Sequence, residues 1–215
     1  MAERIYSDFE TAGGALAAAL FNLPRGDSLV VAIANSGVPV AIPVADTLEA
    51  PLDVLVIRRL FVREDRSVPI AAVSVGGYMV LDSESGTHSS AEEQFRQEAI
   101  TQLSARAEYL RGNSPSNGLA DLNVIVVDNG IHTGSTLQIA INALRKLQPR
   151  SVTVAVPVAD ASTKETMESL ADEVVCLKWS EQFGHTALWY KNFNRPNDAD
   201  VRLMLSRRSG DRSSS

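Results

Sequence analysis

Cysteine is nearly absent from this chain of 215 residues, in which Cys176 is the only one. A single cysteine cannot form a disulfide within the chain, and it cannot build a metal cluster from several thiolates. This composition fits a reducing compartment, so we expect a cytoplasmic protein. Because Cys176 stands in a short apolar run, we interpret it as an inert residue of the core.

Positive charge and long apolar runs are also scarce. The 20 Lys and Arg residues face 26 Asp and Glu residues, which gives a net charge of −6. This balance argues against a general nucleic-acid binder or a membrane-surface binder. No apolar run reaches the roughly 20 residues that span a bilayer, and the first residues precede no apolar signal region. We therefore expect small-molecule partners, and neither nucleic acid nor a membrane.

The 45% of residues that are hydrophobic stand in short runs between amphipathic segments. Runs rich in β-branched residues predict buried strands at 28–34, 51–57, 124–127, 151–158 and 173–177. The intervening helical segments predict an α/β fold, a doubly wound and mainly parallel sheet of about five strands, with flanking segments as a small cover. We assign residues 1–205 to one domain and the polar residues 206–215 to a disordered tail.

The segment from Asn123 to Thr136 combines a buried strand, a short loop rich in hydroxyl groups and the start of a helix. Its loop residues Thr133-Gly134-Ser135-Thr136 have little side-chain bulk. Because a helix N-terminus carries partial positive charge, such a loop is suited to bind an anion. Asp128 at the tip of the strand could hold sugar hydroxyls or a hard cation. An ordinary strand-to-helix turn without a ligand would show the same spacing.

A second loop of this kind stands at Asn35-Ser36-Gly37, after the first predicted strand. The next strand ends at Arg58 and Arg59, and arginine pairs bidentately with phosphate oxygens. α/β sheets bind ligands at the ends of their strands, which favours a phosphate contact for these arginines over a solvated surface run. For the loop alone, a plain strand-to-helix turn remains the alternative.

These strings resemble those of the type I phosphoribosyltransferases, whose binding motif for phosphoribosyl diphosphate (PRPP) is a hydrophobic strand, two acidic residues, Thr-Gly and a further Thr. Asp128, Thr133, Gly134 and Thr136 match this motif, and Asn129 stands at the second acidic position. The strings Gly37–Ala41, Pro51–Val56 and Trp189–Phe193 resemble those of uncharacterised members of the family, in which the acceptor is not defined by motif.

The resemblance implies a role for each of these residues. PRPP would be bound by Asp128, Asn129, Gly130, Thr133, Gly134, Ser135 and Thr136, with the 5′-phosphate at the last four. Asp128 would also hold Mg²⁺ indirectly, through water. The diphosphate would be bound by Asn35, Ser36, Gly37, Arg58 and Arg59, where the relatives carry Arg-Gly-Gly in the loop and an Arg-Lys pair after the strand. A flexible loop that closes over the site is expected to follow Arg59.

Two residues are candidates for contact with the acceptor. In the purine-salvage members an aspartate stands immediately before Thr-Gly and acts as an acid or base near the acceptor. His132 occupies that place, and imidazole is suited to proton transfer, so we name it with Asp128 as a catalytic candidate. An exposed loop residue without a role is the alternative. The aromatic segment from Trp179 to Phe193 is either a cover over the sheet or an acceptor pocket in which Phe183 stacks.

Two functions are consistent with these patterns. The first is a Mg²⁺-dependent phosphoribosyltransferase that transfers phosphoribose to or from a nitrogenous, nucleobase-like acceptor. The second is a regulatory protein of the same fold that binds a nucleotide monophosphate or another phosphorylated ligand without transfer, since the departures at Asn129 and Asn35-Ser36 fall on the ligand side. A dinucleotide-binding domain is disfavoured because no G-x-G-x-x-G follows the predicted strand at 28–34 or the one at 124–127. We expect a homodimer.

Overall fold

The structure, a computed structural model, describes residues 5–23, 26–61, 69–82, 90–112 and 118–212. The predicted loop after Arg59 falls largely on residues 62–68, which lie outside these ranges. The elements, in chain order, are α1 (Phe9–Leu20), β1 (Ser28–Ile33), α2 (Gly37–Thr47), β2 (Leu52–Phe61), β3 (Pro69–Val75), β4 (Tyr78–Asp82), α3 (Ser90–Arg111), β5 (Asn123–Val127), α4 (Ser135–Arg145), β6 (Ser151–Asp160), α5 (Lys164–Leu170), β7 (Glu173–Ser180) and α6 (Asp198–Arg212).

All seven strands form one sheet in the order β4-β3-β2-β1-β5-β6-β7. The strands β2, β1, β5, β6 and β7 run parallel, and the hairpin β3–β4 extends the β2 edge in antiparallel fashion. The predicted α/β class with a mainly parallel sheet is confirmed. The chain leaves β1 toward β2 on one side and later reaches β5 on the other. The crevice beyond the carboxyl ends of β1 and β5 is therefore the place where such sheets bind ligands.

The central strands β1, β5 and β6 are buried on both faces, which explains why they read as continuous apolar runs, whereas the edge strand β7 is partly exposed. Successive residues of β1 alternate between the two layers: Val30 and Ala32 join the core under α1, α2, α3 and α6. Leu29 and Val31 join the core under α4 and α5. Helix α3 packs its buried residues on the first of these layers, so it covers the sheet. Among the described helices, none has the length and apolar content to cross a bilayer.

A cover segment, residues 181–197, joins β7 to α6 and folds back over the carboxyl ends of the strands. It is anchored to the N-terminal segment, because Tyr6 N donates to Trp189 O (3.1 Å) and Lys191 N donates to Tyr6 O (2.9 Å). Tyr190 is buried against Phe9, with ring centroids 4.9 Å apart. The predicted small cover of flanking segments thus corresponds to these two segments held together.

The C-terminal residues differ from the sequence prediction. We predicted a disordered tail from residue 206, but α6 continues to Arg212. Arg208 Nε donates to Asp46 Oδ1 at 2.7 Å and Arg208 Nη2 to the Ala50 carbonyl at 2.8 Å. A polar, serine-rich composition suggested disorder, whereas an arginine that contacts α2 ties the last turns of the helix to the domain. Residues 213–215 lie outside the described ranges.

Candidate functional site

The two predicted anion-binding loops meet at the edge of the sheet. Ala32 in β1 is paired with Val127 in β5, so the loops that follow these strands start side by side. A Cβ atom on Gly37 would lie 2.7 Å from the Val127 carbonyl oxygen and 3.3 Å from Asp128 Cα. Both neighbours are backbone atoms that cannot rotate away. Glycine at position 37 therefore lets the N-terminus of α2 contact the tip of β5.

A cavity of about 190 Å³ opens at the carboxyl end of β5. Most of its lining comes from the predicted PRPP segment, and two further residues come from the cover segment. The lining residues are Asp128, Asn129, Gly130, Ile131, His132, Thr133, Gly134, Thr136, Leu137, Thr186 and Arg195. The structure therefore brings most of the predicted PRPP-binding residues to one cavity, and it adds Thr186 and Arg195.

The loop before α4 has the shape of an anion cradle. Gly134 is the N-cap of α4 with a φ of +74°, a left-handed conformation in which a side chain would be strained. The first helical hydrogen bond runs from Gln138 N to Gly134 O at 2.9 Å. The hydroxyl oxygens of Thr133 and Ser135 lie 3.1 Å apart at the same end. The positive end of the helix dipole and two hydroxyl groups thus converge on one point.

Asp128 stands at the tip of β5, between this cradle and Gly37. Its Oδ1 accepts a hydrogen bond from Asn129 N at 2.7 Å. Burial raises the pKa of Asp128 to about 7, although the Asn129 N–H and the charge of Arg195 act in the opposite direction. Near neutral pH the carboxyl group is therefore balanced between its two forms. When ionised, it can accept hydrogen bonds from sugar hydroxyls or help to hold a hard cation.

Asn129 is buried, with 9% of its surface exposed. The backbone carbonyl oxygen of Asn129 accepts a hydrogen bond of 2.6 Å from the Tyr190 hydroxyl. Burial raises the pKa of Tyr190, which keeps this hydroxyl protonated as a donor. The turn after β5 is thereby tied to the cover segment. The neutral side chain at this second position adds no charge to the cavity.

His132 is exposed at the cavity and stacks on Phe183, with ring centroids 5.9 Å apart and planes at 22°. Phe183 also stacks on Trp189, at 5.7 Å and 23°. Only 1% of the Phe183 surface is exposed, so the ring offers no face to a ligand. The structure therefore corrects the predicted stacking role of Phe183: it belongs to the core and holds the imidazole of His132 in place.

The side chain of Asn35 is committed to bonds within the protein. Its amide nitrogen donates to Asp198 Oδ1 at 2.8 Å and to the Pro196 carbonyl at 3.1 Å. Its amide oxygen accepts from Arg106 Nη2 at 2.8 Å, and Arg106 Nε pairs with Asp198 Oδ2 at 2.8 Å. We call Asn35, Arg106 and Asp198 the loop network. It ties the β1–α2 loop, which includes a cis peptide bond between Ala34 and Asn35, to α3 and α6.

The remaining residues predicted to bind the diphosphate are Ser36, Gly37, Arg58 and Arg59. Ser36 precedes α2, whose first residue is Gly37, so the positive end of α2 faces the tip of β5. Arg58 is exposed on β2, opposite Ala72 of the hairpin, and the structure places it outside the cavity. Arg59 pairs through its backbone with Ala71, and its side chain lies outside what the structure describes.

No cluster of three or more metal-ligating side chains occurs within the described ranges. Asp128 is the one carboxylate among the described residues that line the cavity. Mg²⁺ is commonly held by one or two carboxylates together with substrate phosphates and water. The donor set therefore fits a Mg²⁺ ion that enters with a phosphorylated ligand, and it does not form a closed protein cage.

The family model of the phosphoribosyl transferase domain matches residues 1–191. Two curated proteins from Mycobacterium tuberculosis strains H37Rv and CDC 1551, each provisionally named a phosphoribosyl transferase, are 33% identical over 208 residues. The match covers 95% of this chain and 47% of each relative, so the chain spans about half the length of these relatives.

Solved structures extend the comparison. The protein TT1426 from Thermus thermophilus has a TM-score of 0.79 and 29% sequence identity, covering 94% of this chain and 98% of that one. The protein AQ2163 from Aquifex aeolicus has a TM-score of 0.50 and 15% identity over 80% of this chain and 74% of that one, which shows similarity of fold alone.

Proposed function

This chain belongs to the phosphoribosyl transferase domain family, and we propose that it binds PRPP with Mg²⁺ and transfers phosphoribose to or from a nitrogenous, nucleobase-like acceptor. One observation carries this proposal. The two loops suited to anions are in direct contact, with Gly37 packed on Val127 and Asp128. A ligand with anionic groups at both ends of a sugar matches two such loops with a carboxylate between them.

In the proposed complex, each part of PRPP has its own binding place. The 5′-phosphate binds at Thr133–Thr136, where the positive end of α4 and the hydroxyl groups converge. The ribose hydroxyls bind to the Asp128 carboxylate. The diphosphate binds at the N-terminus of α2, beside Ser36 and Gly37. A sugar held at both ends leaves its anomeric carbon with little freedom, which lowers the entropic cost of transfer.

Mg²⁺ would be held by the diphosphate, by water and indirectly by Asp128, and it would neutralise charge that develops on the leaving diphosphate. The residues of the chain itself would orient the sugar and transfer a proton to or from the acceptor. His132 lies at the cavity with its ring fixed by Phe183, so its imidazole can exchange a proton with a ring nitrogen of the acceptor.

The proposal is tested by calorimetry with PRPP and Mg²⁺, followed by measurement of diphosphate release when a set of nucleobases is added. We expect PRPP to bind and Asp128→Asn to weaken that binding. Asp160→Asn is the matched control, because Asp160 ends the neighbouring strand β6 and caps a turn through Ser162. Failure of PRPP to bind in the presence of Mg²⁺ would refute the proposal.

A variant at His132 separates the acceptor step from PRPP binding. His132→Ala should leave PRPP affinity within about twofold and reduce turnover by roughly 10²-fold or more, as the loss of a positioned acid or base does. If turnover and acceptor affinity do not change, His132 is only an exposed residue of the loop.

A second candidate function has its own support. The carboxamide of Asn35 is occupied by Asp198, Arg106 and Pro196, so it adds no charge for a diphosphate. The buried Asn129 is neutral and stands at the second acidic position of the motif, so it adds no carboxylate for sugar hydroxyls. A protein with these features could bind a nucleoside 5′-monophosphate in a regulatory role. Binding of the monophosphate without diphosphate release from PRPP, with any base, would favour this function.

A further inference from the structure

The cavity contains an arginine to which the proposed binding of PRPP assigns no role. Arg195 lies in the cover segment, between β7 and α6, and lines the cavity together with His132 and Thr186. Its guanidinium carbon lies 5.2 Å from the centroid of the Phe193 ring. Phe193 in turn packs edge-on against Phe9, with centroids 5.2 Å apart. The guanidinium therefore rests on an aromatic ring that the core holds in place.

Arg195 has no carboxylate partner in the part of the chain that the structure describes, and it donates no hydrogen bond there. Other arginines are committed: Arg106 pairs with Asp198, Arg145 with Asp172 and Arg208 with Asp46. The charge of Arg195 lowers the pKa of Asp128, against the larger effect of burial. The five N–H donors of the guanidinium therefore remain available to a molecule in the cavity.

The phosphate groups of PRPP already have places elsewhere. The 5′-phosphate belongs to the loop before α4, and the diphosphate belongs to the N-terminus of α2, whereas Arg195 and Thr186 come from the cover segment. A guanidinium fork that faces a small polar cavity fits a planar oxyanion such as a carboxylate.

We infer that the acceptor of this protein carries an anionic group, a carboxylate or an ionised ring oxygen, and that Arg195 binds this group. The inference rests on the proposed function, because it defines the acceptor class of the same cavity. A neutral nucleobase would leave the guanidinium without its partner, so the residue selects against neutral acceptors.

The test uses two ligands that differ by one carboxylate, orotidine 5′-monophosphate and uridine 5′-monophosphate, and a second pair in which the ring itself ionises, xanthosine and inosine 5′-monophosphate. Calorimetry is done on the full chain with each. We expect the anionic member of at least one pair to bind about tenfold more tightly, which corresponds to about 1.4 kcal/mol. Arg195→Gln should abolish that preference, and Arg195→Lys should retain part of it.

Arg202→Gln is the matched control, since Arg202 is another exposed arginine over an aromatic ring, 4.7 Å from the centroid of Tyr109, and lies outside the cavity. It should keep the preference. Equal affinity within both pairs overturns the inference. Equal weakening of all four ligands by Arg195→Gln also overturns it, because Arg195 would then bind the shared 5′-phosphate. Neither result affects PRPP binding with diphosphate release, so the proposed function is judged separately.

Discussion

The substitution Asp198→Asn is expected to weaken PRPP binding without touching the cavity. Asp198 lies at the start of α6, and its two oxygens accept from Arg106 Nε and Nη2 and from Asn35 Nδ2 at 2.8 to 2.9 Å. The hydrogen bond from Arg106 holds the pKa of Asp198 below its usual range, so the carboxylate is ionised at neutral pH. In the variant, an NH₂ group replaces one carboxylate oxygen of residue 198 and faces the N–H donors of Arg106 and Asn35. The β1–α2 loop then loses its link to α3 and α6.

The size of the effect follows from the exposure of the pair. The side chains of Arg106 and Asp198 are 38% and 36% exposed, which places them near the surface pairs that contribute about 1 kcal/mol or less. The bidentate geometry and the shared bond to Asn35 favour the upper end of that range. We expect a loss of about 1 kcal/mol in the free energy of unfolding. If ordering of the loop accounts for this energy, PRPP affinity falls by about fivefold.

Two ligands and one control variant distinguish this mechanism from general damage. A nucleoside 5′-monophosphate has no diphosphate, so its affinity should not change in Asp198→Asn. Asp46→Asn breaks another ion pair of α6, with Arg208 at 2.7 Å, away from the loop, and it should leave both affinities unchanged. Calorimetry gives the affinities and urea denaturation gives the stability. An equal loss for both ligands, or no loss for PRPP, would refute a positioning role for the loop network.

Three further variants test the site and its support. Burial raises the pKa of Asp128 to about 7, so its ionisation costs stability as pH rises above the ordinary value near 4, and the full cost is present above 7. Asp128→Asn should thus stabilise the protein at pH 8 by about 4 kcal/mol, since one pKa unit corresponds to about 1.4 kcal/mol, and have no effect at pH 4. Urea denaturation that shows the same difference at both pH values contradicts this. Gly37→Ala places a Cβ 2.7 Å from the Val127 carbonyl oxygen and should lower the free energy of unfolding by about 2 kcal/mol. Gly14→Ala, where the added Cβ meets open space, should leave the melting temperature in thermal denaturation unchanged or raise it. Asp53→Ala removes a buried carboxylate that accepts from Val54 N (2.8 Å), Gly76 N (2.7 Å) and Arg111 Nε (3.0 Å), and it should lower the free energy of unfolding by about 3 kcal/mol or more. Asp27→Ala removes an exposed ion pair with Arg150 at 3.4 Å and should lower it by less than about 1 kcal/mol. Equal losses in the two variants would show that burial does not decide the effect.

The strands of the sheet were predictable because each one is indicated by a short, local run of residues in the sequence. The central strands β1, β5 and β6 are apolar runs rich in β-branched residues and buried on both faces, so a run such as residues 152–158 indicates by itself a strand inside the sheet. The loop at Thr133–Thr136 was predictable for the same reason: glycine and hydroxyl residues between a strand and a helix specify the geometry within a few positions. The extent of α6 was less accessible, since it depends on a contact between Arg208 and α2.

The residues that the sequence did not reveal act across long separations. Arg106 is hydrogen-bonded to Asn35, which is 71 positions away in the sequence, and to Asp198, which is 92 positions away. Nothing in the local sequence distinguishes Arg106 from the other charged residues of α3. Arg195 stands in a polar stretch after the aromatic segment and is placed at the cavity only when that segment folds over the sheet. For Phe183 the sequence left a cover over the sheet and a stacking face for the acceptor as alternatives, because an irregular aromatic segment has no periodicity that tells buried rings from exposed ones; its burial favours the cover.

The loop network changes where the positive charge for a diphosphate must come from. Asn35 itself is neutral, but a guanidinium adjoins the loop, since Arg106 donates to Asn35 Oδ1. Asp198 neutralises that guanidinium, however, so the pair brings no net charge. In the proposed complex with PRPP, the dipole of α2 and Mg²⁺ would then compensate the negative charge of the diphosphate. Removal of Mg²⁺ should therefore weaken PRPP binding by at least about tenfold and leave monophosphate binding, which depends on α4, nearly unchanged. Calorimetry with and without a chelator measures both affinities, and equal sensitivity of the two ligands would show that the loop retains a cation of its own.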